Sequence, residues 1–266
     1  MNTVHSHDGT LIAFDRLGRG PALILVGGMF EQRALDTDTA KLAALPLLAE
    51  HFTLYHYDRR GRGDSGDTVP FAVDREIEDI GALIEHAGGS ALLFGISSGA
   101  ALAFEAARAL GGKVTRLALY EPPYNDETDA RQAWRVFRRE LTSALAAGQR
   151  NEAIGLFMQL LGVPADQIAG MRQYPMWPLW EAVAPTMAYD AAALGEEAAV
   201  PVARAVAVAV PTLIVTGSES YPFMQTSAAT LTRALPLGEH RVLAGQTHEV
   251  APEALAPVLV DFFIAA

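Results

Sequence analysis

Short apolar runs alternate with longer helical patterns along most of the chain. Seven runs rich in branched and aromatic residues predict strands: TLIAFDRLG, ALILVGG, FTLYHYD, SALLFG, VTRLALYE, PTLIVTG and HRVLAG. The segments between them, such as VDREIEDIGALIEHAGG and GAALAFEAARALGG, are amphipathic or rich in alanine and predict helices. This alternation predicts an α/β fold, in which a mostly parallel sheet is covered by helices on both faces. Reactive side chains in such sheets collect beyond the carboxyl ends of the strands.

One stretch breaks the alternation, from Tyr124 to Val208, where helical patterns occur without a convincing strand. We therefore expect residues 1–123 and 209–266 to form the core. Residues 124–208 are expected to form a helical cap over one end of the sheet.

The predicted cap is rich in large apolar side chains. They either line a substrate pocket or only pack the cap against the core: Met158, Met171, Met176, Trp177, Trp180 and Met187. Both interpretations stay open. Our candidate substrate-binding residues are Phe30, Tyr124, Trp177 and Trp180.

Composition and charge narrow the classes of partner. Half of the 266 residues are hydrophobic and 19% are charged, which is typical of a globular protein with a large core. The formal net charge of −11 argues against a nucleic-acid partner, because phosphate binding needs clustered lysine and arginine. The absence of cysteine excludes disulfides, thiolate metal sites and a cysteine nucleophile. Since neither a signal peptide nor a membrane span is visible, we expect a cytoplasmic protein without a membrane partner.

The segment LLFGISSGA predicts a nucleophilic serine. Gly95 and Gly99 flank Ser97 in the pattern Gly-x-Ser-x-Gly, after an apolar strand and before an alanine-rich helix. This pattern is typical of a nucleophile elbow, a turn so tight that side chains at the glycine positions would collide with neighbouring backbone. Ser97 is then strained with its hydroxyl exposed. Ser98 opens the helix and contributes only its backbone N–H to an oxyanion hole.

A serine hydroxyl is a weak nucleophile and needs a base. Of the seven histidines, His248 in LAGQTHEV follows the last predicted strand and precedes the final helix. That loop lies at the carboxyl end of the sheet, on the same edge as Ser97. We therefore predict that His248 is the base, and the ordinary alternative is a solvated loop histidine or a core histidine whose hydrogen bonds are satisfied.

With these residues placed, the chain resembles the α/β-hydrolase superfamily over nearly its whole length. LVGGMF is similar to the family's oxyanion segment, with Gly27 where histidine is usual, and implies that the Met29 N–H pairs with the Ser98 N–H. The resemblance also implies an eight-stranded sheet with the cap inserted between strands six and seven. YDRRGRGDSG resembles the family's Asp-x-Arg-Gly-x-Gly-x-Ser segment, whose residues organise a loop: Asp58, Arg60, Gly61, Gly63 and Ser65.

The carboxylate that orients the histidine has several candidate positions. In many family members it is an aspartate in the loop after the seventh strand, at a position that Ser220 occupies here, with Glu219 next to it. A second family position, after the sixth strand, holds Glu121. A glutamate there, together with a Gly-x-Ser-Ser-Gly elbow, is similar to the zearalenone-type lactonases. We predict Glu121, with Glu219, Asp190, another cap residue or no acid as alternatives.

These residues together predict a serine hydrolase that cleaves an ester or lactone of a neutral, lipophilic small molecule. No cofactor or metal is implied, and the oligomeric state is not predicted. One rival is a cofactor-free enzyme of the same fold with other chemistry, such as a lyase, C–C hydrolase, cyclase or transferase. The other is a non-catalytic ligand-binding protein, because fold alone does not decide function.

Overall fold

A single sheet forms the centre of the computed structural model, which describes residues 1–34 and 40–265, without the side chains of residues 40–44. Its strands are β1 Asn2–His5, β2 Leu11–Gly18, β3 Ala22–Val26, β4 Thr53–Tyr57, β5 Ala91–Ile96, β6 Val114–Tyr120, β7 Thr212–Gly217 and β8 Gly238–Leu243. The eight strands follow the order β1-β2-β4-β3-β5-β6-β7-β8. The pairs β1–β2 and β2–β4 are antiparallel, and the other pairs are parallel. The predicted α/β fold with a mostly parallel, eight-stranded sheet is confirmed.

The sequence explains which strands are central. Every residue of β5 and of β7 is buried, in the segments ALLFGI and TLIVTG. A strand covered by helices on both faces needs apolar side chains on both, so it reads as a continuous apolar run. By contrast, β1 has the sequence NTVH and is mostly exposed at the edge of the sheet.

Helices cover both faces of the sheet. They are α1 Ala40–Ala49, α2 Val73–His86, α3 Ser98–Leu110, α4 Thr128–Ala146, α5 Arg150–Leu160, α6 Ala165–Met171, α7 Trp177–Val183, α8 Met187–Leu194, α9 Val202–Ala205, α10 Pro222–Ala234 and α11 Pro252–Ile264. Residues of α2, α3 and α10 share one apolar core with the sheet, and residues of α1 and α11 share a second core with it. Within the described residues, no helix combines the length and the apolar character that crossing a membrane requires.

The chain between β6 and β7 is helical. Residues 121–211 are all described, and they contain α4 to α9 without a strand. Among these helices, α8 packs against α3, the helix that begins at the predicted elbow. This packing brings residues of the segment 124–208 next to the candidate site. The division into a core and a separate cap stays a prediction.

Candidate active site

Ser97 lies at the turn between β5 and α3, at the carboxyl edge of the sheet. Its backbone has φ 54° and ψ −129°, a conformation with positive φ that a non-glycine residue adopts only under strain. A β-carbon at Gly99 would lie 2.3 Å from Val26 O, and one at Gly95 would lie 2.6 Å from Gly99 O. Both glycines are therefore required sterically, as the sequence pattern predicts for an elbow.

The loop after β3 packs directly on the elbow. A β-carbon at Gly28 would lie 3.1 Å from Ser97 Cβ and 3.6 Å from Ser98 Oγ. The next residue, Met29, is partly buried, and Ser98 is the first residue of α3, where backbone N–H groups have no intrahelical acceptor. The structure thus packs Gly28, the residue before Met29, against Ser97 and Ser98, and the role of the Met29 and Ser98 N–H groups as oxyanion donors stays a prediction.

Charged side chains hold the loop after β3. This loop has Gly27 at the position where the α/β-hydrolase superfamily usually has histidine. The Gly28 N–H donates to Glu31 Oε2 at 2.7 Å. From the loop after β4, Arg62 Nη1 donates to Gly28 O at 2.6 Å and Arg59 Nη1 donates to Gly27 O at 3.2 Å. Sequence reasoning misses both arginines, because the family segment assigns structural roles only to their neighbours. The sequence does carry a signal for Arg59 and Arg62, because both closely follow an apolar strand. A charge buried there needs hydrogen-bonding or oppositely charged partners.

Glu121 and His248 are in direct contact. His248 Nδ1 lies 2.7 Å from Glu121 Oε2. The carboxylate is fully buried on a backbone with φ 45° and also accepts hydrogen bonds from Gly217 N and Ser220 Oγ, each at 2.8 Å. Ser220, at the commoner position of the acid, is therefore a donor to Glu121. No hydrogen bond joins Ser97 and His248 in the part of the chain that the structure describes, and such contacts are often long without substrate.

Tyr120, which sequence reasoning does not single out, holds the loop that carries His248. Its hydroxyl donates to Thr247 O at 2.5 Å. Burial, together with the nearby charge of Glu121, raises the pKa of Tyr120, so the hydroxyl stays protonated and remains a donor. The strand that presents Glu121 thus also fixes the residue before His248, and this couples the positions of Glu121 and His248.

The two alternative acids lie elsewhere. The side chain of Glu219 is exposed, and its Oε1 accepts a long hydrogen bond from Ser218 Oγ at 3.5 Å. Asp190 is fully buried and accepts hydrogen bonds from two arginines and a serine: Arg59 Nη1 at 2.5 Å, Arg62 Nη2 at 2.5 Å and Ser98 Oγ at 2.8 Å. Neither carboxylate forms a hydrogen bond to His248 among the described residues, because each is directed to other partners.

Asp190 also contacts the side chain of Ser98. Ser98 is predicted to contribute only its backbone N–H to catalysis, which stays a prediction, and its hydroxyl donates a hydrogen bond to the Asp190 carboxylate. Burial alone would raise the pKa of the Asp190 carboxyl. The charges of Arg59 and Arg62 and the bond from Ser98 outweigh burial and hold that pKa below its usual range. A carboxylate that is ionised at neutral pH therefore contacts Ser98, the residue after the predicted nucleophile.

The four candidate substrate-binding residues divide into two groups. Phe30, directly after Met29, is partly buried and has φ 65°, and its ring stacks on Trp180 at a centroid distance of 5.6 Å. Phe157 packs edge-on against the Phe30 ring, also at a centroid distance of 5.6 Å. Phe30 and Trp180 therefore form an aromatic surface next to the loop of Gly28. Phe157 belongs to it as well, although sequence reasoning does not single it out.

Trp177 and Tyr124 are packed inside the protein. Trp177 is 2% exposed and its indole N–H donates to Asn151 Oδ1. Tyr124 is fully buried, its hydroxyl has no hydrogen-bond partner among the described residues, and burial raises its pKa. Neither presents surface that a substrate could touch without a rearrangement. Their role in substrate binding stays a prediction, and the structure favours the packing interpretation for both.

The arrangement provides a strained serine, an imidazole bonded to a buried carboxylate, and backbone N–H groups close to the serine. These are the components that acyl transfer requires. Within the described ranges, no group of three or more His, Cys, Asp or Glu side chains is placed to hold a metal ion.

Comparisons with known proteins agree with this fold. The model of the alpha/beta hydrolase family matches residues 23–258. The crystal structure of an alpha/beta hydrolase from Sphaerobacter thermophilus DSM 20745 is 46% identical, with a TM-score of 0.85 over 98% of this chain and 100% of the other. No curated protein matches the sequence significantly.

More distant structures share the fold. A thermophilic esterase from Thermogutta terrifontis is 21% identical, with a TM-score of 0.73 over 98% of this chain and 97% of its own. The enol-lactonase from Burkholderia xenovorans LB400 is 17% identical, with a TM-score of 0.67 over 98% of this chain and 99% of its own. At these identities the likeness establishes the fold alone. The family model and the Sphaerobacter structure go further, and the chain belongs to the alpha/beta hydrolase family of enzymes.

Proposed function

We propose that the protein is a serine hydrolase that cleaves a carboxylic ester or lactone through an acyl-serine intermediate. The observation that carries the proposal is the 2.7 Å contact between His248 Nδ1 and Glu121 Oε2, at the sheet edge where Ser97 stands in a strained turn. An ionised carboxylate only accepts hydrogen bonds, so this contact keeps a proton on Nδ1 and leaves Nε2 as the basic nitrogen.

In acylation, Ser97 Oγ attacks the substrate carbonyl carbon and its proton passes to His248 Nε2. The electron pair of the carbonyl double bond moves onto the oxygen, which accepts hydrogen bonds from Met29 N–H and Ser98 N–H. Glu121 stabilises the imidazolium that forms. When the tetrahedral intermediate collapses, the bond to the alcohol oxygen breaks and that oxygen takes the proton from His248.

In deacylation, water attacks the carbonyl carbon of the acyl-serine and gives a proton to His248 Nε2. The bond to Ser97 Oγ then breaks, and the serine recovers its proton from the imidazolium. An ester thus yields an acid and an alcohol. A lactone yields one hydroxy acid, because its alcohol remains attached to the acyl group.

The surroundings of the site favour a neutral, lipophilic substrate. The aromatic surface of Phe30, Phe157 and Trp180 lies beside the loop proposed to bind the oxyanion. The two arginines that contact the loop of Gly27 and Gly28, Arg59 and Arg62, are already bonded to buried carboxylates. A net charge of −11 also disfavours an anionic substrate.

The nucleophile is tested with a fluorophosphonate probe and a p-nitrophenyl butyrate assay. Ser97→Ala is expected to abolish both labelling and turnover, because no other hydroxyl occupies the elbow position. Ser98→Ala is expected to remain labelled at Ser97. The labelling rate should be lower because the hydrogen bond from the Ser98 hydroxyl to Asp190 is lost. Ser143→Ala, on the exposed face of α4, is the matched control and should behave as the wild type. Labelling that persists in Ser97→Ala would contradict the proposal.

The substrate class is tested with paired tryptophan variants on p-nitrophenyl acetate and p-nitrophenyl octanoate. Trp180→Ala is expected to raise KM for the octanoate about tenfold and to leave KM for the acetate nearly unchanged, since it removes apolar contact area. Trp177→Ala is expected to lower the unfolding free energy by about 3–5 kcal/mol and to affect both esters alike. Equal effects of Trp180→Ala on the two esters would rule out its contact with the substrate.

A further inference from the structure

Arg62 is a buried side chain whose guanidinium joins three parts of the site. It is 1% exposed. Its Nη1 donates to Gly28 O at 2.6 Å, its Nη2 to Asp190 Oδ2 at 2.5 Å and its Nε to Thr186 Oγ1 at 3.0 Å. Because the guanidinium is planar and rigid, three acceptors in different directions fix its orientation.

The hydrogen bond from Arg62 to Gly28 O also fixes the direction of the Met29 N–H. That carbonyl belongs to the same peptide unit as the N–H of Met29. The unit is planar and trans, so its C=O and N–H point in opposite directions, and holding one determines the direction of the other. A hydrogen bond from a cation is stronger than one between neutral groups. It also polarises the peptide, and this strengthens the Met29 N–H as a donor.

Asp190 holds Arg62 from within α8. The carboxylate is fully buried, and its Oδ2 accepts from Arg62 while its Oδ1 accepts from Ser98 Oγ at 2.8 Å and from Arg59 Nη1 at 2.5 Å. The Asp190 carboxylate therefore contacts both Arg62, which holds the peptide of the Met29 N–H, and Ser98, which supplies the second proposed oxyanion donor. The packing of α8 on α3 keeps it there.

We infer that Arg62 and Asp190 are positioning residues of the oxyanion hole: Asp190 holds Arg62, and Arg62 aims the Met29 N–H at the oxyanion. Neither side chain touches the substrate. The inference rests on the proposed function, because it requires an oxyanion that the Met29 N–H binds. It also means that a helix of the segment 124–208 takes part in assembling the catalytic machinery.

The test measures the oxyanion in a stable adduct. The probe is 1,1,1-trifluoro-4-phenylbutan-2-one labelled with ¹³C at the carbonyl, which forms a hemiketal with Ser97, and the ¹³C shift reports the pKa of the hemiketal hydroxyl. Arg62→Lys keeps the charge but offers one nitrogen, which cannot reach Gly28 O, Asp190 and Thr186 at once. We expect the hemiketal pKa to rise by about 1 to 2. For p-nitrophenyl butyrate, kcat should fall about 10- to 100-fold and KM should change less than about threefold.

Arg60→Lys is the matched control for lost stability. Arg60 is as buried as Arg62 and donates to both oxygens of Asp79, at 2.7 and 2.8 Å, and to Asp8 Oδ2 at 3.0 Å. These contacts do not involve the loop of Gly28. We expect a similar loss of unfolding free energy, with the hemiketal pKa unchanged and kcat within about threefold of the wild type. A hemiketal pKa that is the same in Arg62→Lys, Arg60→Lys and the wild type would overturn the inference.

Thr186→Val provides a second variant in case Arg62→Lys does not fold. It is nearly isosteric and removes the acceptor of Arg62 Nε without changing a charge. We expect a smaller rise of the hemiketal pKa and a fall of kcat of about two- to fivefold, and an unchanged titration would again overturn the inference. If the wild type itself forms no hemiketal, the proposed function fails and the inference with it. If the adduct forms and all variants titrate alike, only the inference fails.

Discussion

Two fully buried carboxylates, Glu121 and Asp190, lie in the candidate site, and they differ in their hydrogen-bond donors. Among the residues that the structure describes, the donors to Glu121 include no arginine or lysine: Gly217 N, Ser220 Oγ and His248 Nδ1. The donors to Asp190 include two permanent cations: Arg59 Nη1, Arg62 Nη2 and Ser98 Oγ. The two carboxylates are equally buried, but Asp190 is paired with two cations, whereas Glu121 is bonded to a backbone N–H, a hydroxyl and an imidazole.

The difference shows how a site separates a responsive charge from a fixed one. Asp190 is already neutralised by its arginines, so a new charge nearby would gain little from it, and its contribution is to hold structure in place. Glu121 acquires a cationic partner only when His248 is protonated, which is when the proposed reaction needs stabilisation. We therefore expect loss of Glu121 to act on catalysis and loss of Asp190 to act strongly on stability.

The largest expected effect is that of Glu121→Gln on kcat. The amide would donate to His248 Nδ1, which would move the ring proton to Nε2 and leave no base for Ser97. We expect kcat to fall roughly 10³- to 10⁴-fold while the protein stays folded, because glutamine keeps the size of the side chain. Steady-state kinetics with p-nitrophenyl butyrate and a thermal melt measure the two quantities.

Glu219→Gln is the control for this prediction. Its side chain is exposed and is not bonded to His248, so we expect less than about a threefold change in kcat. If Glu219→Gln were the impaired variant and Glu121→Gln remained active, the acid would come from the loop after β7. The catalytic role proposed for Glu121 would then be wrong.

The next effect is that of Asp190→Asn on stability. Removing this anion leaves Arg62 without its carboxylate partner, whereas Arg59 keeps Glu76. Breaking a buried ion pair in this way typically costs about 3–5 kcal/mol of unfolding free energy. Urea denaturation at pH 7 measures it. A loss below about 1 kcal/mol would show that Asp190 is not the fixed structural charge proposed here.

The pH dependence of stability sharpens the same point. The folded pKa of Asp190 is lowered relative to an unfolded value of about 3.9, so the unfolded chain binds the proton first. The stabilisation is therefore complete above about pH 4 and is lost as the pH falls through the folded pKa. Below about pH 4, the unfolding free energy of Asp190→Asn should fall less steeply with decreasing pH than that of the wild type, as denaturant titrations would record. Parallel curves would contradict the assignment.

The smallest expected effect is that of Ser220→Ala. It removes one of two donors to Glu121 Oε2 and leaves the contact with His248, so we expect kcat to fall about two- to tenfold. Ser220→Asp in the Glu121→Gln background is the sharper companion, because it returns a carboxylate beside His248. A recovery of about tenfold is expected, and a double variant no faster than Glu121→Gln would mean that position 220 does not reach the imidazole.

The pattern along the chain predicts seven of the eight described strands and misses β1, which lies at one edge of the sheet. The runs of β5 and β7 are apolar throughout because both faces are covered. The edge strand β1, with the sequence NTVH, lacks such a run, since most of its residues are exposed. The pattern also does not predict helix α1, because Pro46 lies inside it and proline disfavours a helix interior.

What the sequence determines by itself is local: the alternation that leads to the fold, the glycines that a tight turn at Ser97 requires, and the position of His248 after the last strand. The sequence favours Glu121 as the partner of His248 but leaves alternatives, because the choice depends on the adjacency of β6 and β7 and on side-chain direction, which a motif does not encode. The contact between Arg62 and Asp190 spans 128 residues of chain. Periodicity records which positions are buried, whereas the pairing of buried charges from distant segments is decided only when packing brings them together.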